Sequence, residues 1–183
     1  MKDRAQIILE AAALDGVCQT GKRYLKQTPR DISTLIKLMK AWPEYVQEHP
    51  YSALDIIRQN MDDDLQEQLI AANIFIDYQG KATIGSDTAI IIMGDSDIDM
   101  NTAQFAVTKI YCFNNSRADI TPGDRSIIDI EAWNSSRVII SENESAITTA
   151  YIYDQAEVVG VNKINQKEYQ RGQIFNGKEI NHK

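Results

Sequence analysis

A repeat with a fixed interval of 20 residues limits the folds open to this chain more than any other feature of the sequence. In register, QFAVTKIYCFNNSRADITPG from Gln104, DRSIIDIEAWNSSRVIISEN from Asp124 and ESAITTAYIYDQAEVVGVNK from Glu144 align without a gap. One column holds Phe113, Trp133 and Tyr153, and the next holds Asn114, Asn134 and Asp154. Val107, Ile127 and Ile147 form another, as do Ala118, Val138 and Val158, and Arg117 matches Arg137. Upstream, Ile90, Met93, Ser96, Ile98 and Met100 fall on Ile110, Phe113, Ser116, Ala118 and Ile120, so a weaker copy of the period reaches back to about Gly85.

A period this short, rich in Ile, Val, Thr and Tyr, is one rung of a parallel solenoid with two or three short strands per rung. Matching positions then stack about 4.8 Å apart, and an apolar column becomes a continuous core that no single rung buries alone. Positions 106, 108, 110 and 112 are small or aliphatic in every copy and are expected inside, with 118 and 120. Strand alternation then sends Phe113, Trp133 and Tyr153 outward, unless a turn falls there. Exposed, this ladder would stack on sugar rings or anchor a protein partner; covered by the N-terminal helices, it is an interdomain core, the arrangement expected because large exposed apolar patches are uncommon.

The part before the repeat reads as helical. Residues 3–14 carry apolar side chains at three- and four-residue spacing, with Asp3 placed to cap and Gly16 to stop. Residues 19–30 read as a turn region with a basic cluster of Lys22, Arg23, Lys26 and Arg30, solvated or paired with the protein's own acids. A second helix is expected over 31–41, with Trp42 and Tyr45 packing on the solenoid. A third follows Pro50 with Ser52 as cap, and a fourth starts at Asp62, Asp63 and Asp64, where acids favour the first turn. The composition changes at Asn73, where a first strand over 74–78 leads into the rungs. Past Val161 the register fades, and Ile164, Tyr169, Ile174 and Phe175 point to a last irregular coil or hairpin before a mobile end.

The fold expected is therefore α+β. A helical region over 1–72 caps or flanks a parallel β-solenoid with 20-residue coils over 73–165, and an irregular segment covers 166–183. The helices have a physical task, since an open solenoid end is an unpaired edge.

A formal charge of −7 supplies no basic footprint for nucleic acid or anionic membranes, so neither is expected as a partner. No segment approaches the roughly 18 apolar residues of a membrane span, and the N-terminal residues show no signal-peptide core, which favours the cytoplasm. Cys18 and Cys112 are expected as buried thiols, with a bridge between them as the alternative.

Few residues invite chemistry. Asp95, Asp97, Asp99 and Asn101 alternate like a calcium loop, but Met100 stands where the turn needs Gly and Ala106 where a bidentate Glu belongs. On a strand these acids share one solvated face. His49 and His182 sit in no metal or catalytic spacing, and no phosphate-binding or nucleophile motif occurs. Arg117 and Arg137, near Asp119 and Asp129, read as a salt-bridged ladder or, less simply, a carboxylate-and-base site. No catalytic, cofactor or metal residue is assigned.

Two family comparisons follow from these residues. The hexapeptide acyltransferases resemble the chain in using short parallel rungs, but their coils repeat at about 18 residues. Their catalytic His has no counterpart, since the rungs here contain no His. The layout also resembles uncharacterised gut-bacterial proteins with a helical N-terminal part and a C-terminal single-stranded parallel β-solenoid. The segments EYVQEHPYSALDIIRQN, ANIFID, FAVTKIYCFNNSRADI and IIDIEAWNSSRVII carry that resemblance, which implies the fold and no activity. The function expected is a non-enzymatic interaction or scaffolding role toward a protein partner or a second copy. The alternative is a carbohydrate-binding or carbohydrate-processing module, and the candidate surface is Phe113, Trp133, Tyr153, Arg117 and Arg137.

Overall fold

The computed structural model describes residues 4–14, 19–160 and 165–169. Asp3, Gly16, Cys18, Ile164, Ile174, Phe175 and His182 lie outside them.

Six helices come first: α1 (Arg4–Leu14), α2 (Gln19–Gln27), α3 (Ile32–Ala41), α4 (Glu44–Glu48), α5 (Pro50–Asn60) and α6 (Asp63–Ala71). Two begin at carboxylate caps. The Thr34 N–H donates to Asp31 Oδ1 and the Leu65 N–H to Asp62 Oδ1, each at 2.9 Å, satisfying donors that a helix start leaves unpaired. Ser52 is not a cap, because α5 starts with Pro50, whose fixed φ and missing N–H suit the first helical position. The stretch expected as a turn over 19–30 contains α2. Its basic residues hid the apolar face that Gly21 and Leu25 bury, whereas Arg30 lies past its end and pairs with Glu10 at 2.9 Å.

Eleven strands follow among the described residues: β1 (Ile74–Ile76), β2 (Gln79–Ile84), β3 (Asp87–Met93), β4 (Asp97–Thr102), β5 (Val107–Cys112), β6 (Arg117–Thr121), β7 (Ile127–Ala132), β8 (Arg137–Ile140), β9 (Ile147–Tyr153), β10 (Glu157–Gly160) and β11 (Asn165–Tyr169). They alternate between two all-parallel sheets, ordered β1-β3-β5-β7-β9-β11 and β10-β8-β6-β4-β2. This is a parallel β-solenoid of about 4 turns with roughly 20-residue coils. Each rung supplies two strands. Ile90, Ile110, Ile130 and Ala150 are successive register partners, and Ile98, Ala118 and Val138 are the same on the other sheet. The first strand ends at Ile76 rather than 78, since Asp77 takes φ 51° and turns the chain. At the far end β11 pairs in parallel with β9, carrying the first sheet to Tyr169.

The repeated Asn/Asp column explains the corner. Asp77, Gly94, Asn114, Asn134 and Asp154 all have φ between 51° and 75°, the left-handed region that Gly, Asn and Asp reach at least cost. Gly94 is required twice over, because a Cβ there would collide with the Asp77 carboxylate. The corner side chains also bond from rung to rung. Asn114 Oδ1 accepts the Gly94 N–H at 3.1 Å and Asn134 Oδ1 the Asn114 N–H at 3.0 Å. Two positions on, Ser96, Ser116 and Ser136 turn inward, buried, and donate to carbonyls of the preceding strands.

The core has two compartments. Between the sheets lie Ile90, Ile92, Ile110, Cys112, Ile130 and Ala132 from one side and Ile98, Met100, Ala118, Ile120 and Val138 from the other, the inward columns read from the repeat. Cys112 is a free buried thiol whose pKa burial pushes up to about 12, so it is inert rather than nucleophilic. The second compartment lies between the first sheet's outer face and the helices, where Leu9, Leu35, Leu54, Ile57 and Leu65 meet Ile74, Ile91, Met93 and the aromatic column.

Candidate functional site: the outer face of the first sheet

The odd-numbered residues of β3, β5, β7 and β9 point away from the prism, and the helices cover only part of them. At the downstream ends of the strands, Phe113, Trp133 and Tyr153 are 0%, 4% and 6% exposed, buried against the helical layer. Trp133 and Tyr153 stack with centroids 3.5 Å apart and planes within 6°. Alternation does send the column out of the prism, and it ends beneath the helices. The indole N–H of Trp133 finds no acceptor among the described residues.

Polar clamps hold this cover in place. Lys40 of α3 donates to Asp87 Oδ2 at 2.6 Å, where Asn73 Nδ2 also donates at 2.8 Å. Burial opposes the charge on Asp87, but these bonds outweigh it and hold the carboxyl below the usual carboxylate range. Arg58 of α5 binds Asp77 and Asp95 at the corner, and its hydrogen bond to Asp77 draws that carboxyl's pKa down as well. Asn114 Nδ2 donates to the Pro50 carbonyl at 3.1 Å, and Gln47 Nε2 to Glu131 at 3.1 Å. Trp42 and Tyr45, expected against the solenoid, have ring partners in the helical layer: Tyr24 at 5.3 Å and His49 at 5.1 Å.

At the upstream ends of β5, β7 and β9 the same face is bare. Val107, Ile127 and Ile147 are successive register partners, 56%, 43% and 58% exposed, with exposed Phe105 at the preceding corner under the Arg125 guanidinium. The boundary between the two halves is charged. Lys109 Nζ lies 2.7 Å from Glu131 and 4.8 Å from the centre of the Tyr111 ring; burial works against its charge, but the Glu131 and Tyr111 contacts prevail and its pKa is raised.

Arg117 and Arg137 lie apart from the aromatics, on the outer face of the second sheet. They are register partners in a column that runs Asp97, Arg117, Arg137, Glu157. Arg117 contacts Asp119 at 2.8 Å and Asp97 at 3.9 Å, and Arg137 contacts Glu157 at 3.7 Å, so both cations face carboxylates. Asp129 belongs to the first sheet, in register with Lys109. Asp97, Asp99 and Asn101 share the exposed face of β4, with Asp95 in the turn before it, and no group of potential metal ligands occurs among the described residues.

No family model matches the chain, and no curated protein or solved structure is similar to it. The structure itself defines the class: a parallel β-solenoid flanked by a helical layer. No helix among the described residues is long and apolar enough to cross a membrane.

Proposed function

We propose that the protein is a non-enzymatic interaction or scaffolding protein that offers the bare half of its first sheet to a protein surface, a partner's or a second copy's. The carrying observation is the in-register column of exposed aliphatics at 107, 127 and 147. A flat aliphatic strip rimmed by Arg125 and the Lys109–Glu131 pair has the makeup of a small protein interface, with an apolar centre and a polar edge. The absence of nucleic acid and membrane partners, the cytoplasmic setting and the resemblance to uncharacterised gut-bacterial proteins belong to the same proposal.

A photo-crosslinking residue replacing Ile127 in the full chain tests it. A discrete adduct, with a second copy or with another protein, is expected, and the added change Ile147→Lys should abolish it. An equal yield of the same adduct from position 121, on the other sheet, would overturn the reading, as would adducts indifferent to Ile147→Lys.

A further inference from the structure

The helical layer lines a partly open cavity that its solenoid-covering task does not explain. Helices α1, α2, α3, α4 and α5 surround a space of about 290 Å³, walled by Leu9, Leu25, Leu35, Met39, Val46 and Ile57. At about 30 Å³ for each water in the liquid, this space equals roughly ten waters, and its wall is almost wholly apolar. It also stands close to the lower end, about 300 Å³, of the range for small-molecule pockets.

Half-buried Trp42 and Tyr45 line the space as well, with Glu48, the one carboxylate among the described lining residues, which include no Lys, Arg or His. The Glu48 side chain is half exposed, and its Oε2 lies 4.0 Å from His49 Nε2. An apolar body fits the wall, and a positive end would find the Glu48 carboxylate, the charged group among the described lining residues.

We infer that the cavity is a binding site for a small apolar amine, with the hydrocarbon inside and the ammonium at Glu48. The same charge turns away apolar carboxylates of equal size. This site lies among the helices and is independent of the aliphatic strip on the solenoid.

Calorimetric titration of the full chain with phenylbutylamine, phenylbutanol and phenylbutyrate separates body from head group. The amine is expected to saturate and to bind about tenfold tighter than the acid, the ratio set by attraction in one case and repulsion in the other. Glu48→Gln, an exposed change that leaves the helix intact, should bring amine and acid together without moving the alcohol. Ala12→Phe, which fills the cavity from α1, should weaken all three. Failure of the amine to saturate would overturn the inference. So would equal binding of the three by the wild-type chain, or an amine preference that survives Glu48→Gln; if Ala12→Phe does not fold, the Glu48→Gln result decides alone.

Discussion

The two ends of the strands in the first sheet carry outward-facing columns that are alike in register and unlike in fate. Phe113, Trp133 and Tyr153 lie under helices, whereas Val107, Ile127 and Ile147, one strand length upstream, meet solvent. Strand alternation treats the columns identically, because it fixes only which way a side chain leaves the sheet. What separates them is reach. The helices are clamped at Asp77, Asp87, Asn114 and Glu131, and residues 105–107 lie beyond their edge. Outward on a solenoid therefore means either interface or surface, depending on where a second layer is tied down.

The widest separation between the two columns should appear in stability. Trp133→Ala removes a buried, stacked ring and is expected to cost about 3–5 kcal/mol, while Ile127→Ala, on the bare half, should change stability by about 0.5 kcal/mol. Trp133→Phe sharpens the contrast, since the indole N–H has no acceptor among the described residues and its loss leaves no broken hydrogen bond. It should fall well short of the Ala variant. Denaturant midpoints measure all three, and equal losses at 133 and 127 would mean that the helices contribute no real cover.

The corner that ends the covered half provides a medium effect. Asn134 sits at φ 62° and accepts the Asn114 N–H at 3.0 Å. Asn134→Ala meets the left-handed penalty of about 1–2 kcal/mol and orphans a buried donor. Asn134→Gly escapes the first cost and keeps the second, so it should destabilise by about 1 kcal/mol. Thermal unfolding of the pair isolates the backbone term; if Gly proves as costly as Ala, side-chain bonding alone sets the corner.

The repeat made the prism legible because identical positions must stack, and chemical likeness at 110, 130 and 150 therefore gave the register directly. The inward columns followed from pleating. The helical cover over the aromatics was readable only as a preference for burial, because an aromatic's sequence position does not show which layer it joins. Helix α2 was hidden by its charge: Lys22, Arg23 and Lys26 advertise a loop, while Gly21 and Leu25 carry its buried face. The cavity among the helices left no mark at all, since an unfilled volume depends on how side chains from five elements converge. The exposure of 107, 127 and 147 was implicit once the even positions were placed inside, for the odd ones then had to be out.

Acid should move the covered column toward the state of the bare one, by the smallest of these effects. The Asp87 carboxyl is held below its ordinary value by Lys40 and Asn73 despite burial, and Asp77 by Arg58. A lowered folded-state pKa means that the carboxylate contributes stability that is fully present above the unfolded value, about 3.9, and is lost as pH falls through the folded value. Both groups tie helices to the solenoid, so their protonation loosens the cover while the prism, whose interior has no such groups, stays shut. In a Trp42→Phe background, acrylamide quenching of Trp133 should be constant from pH 7 to about 4 and rise below it. Asp87→Asn should raise the quenching at neutral pH and flatten part of the acid rise. Unchanged quenching at the acid end, with the strand signal intact, would show that apolar packing alone holds the helices down and that the clamps are dispensable.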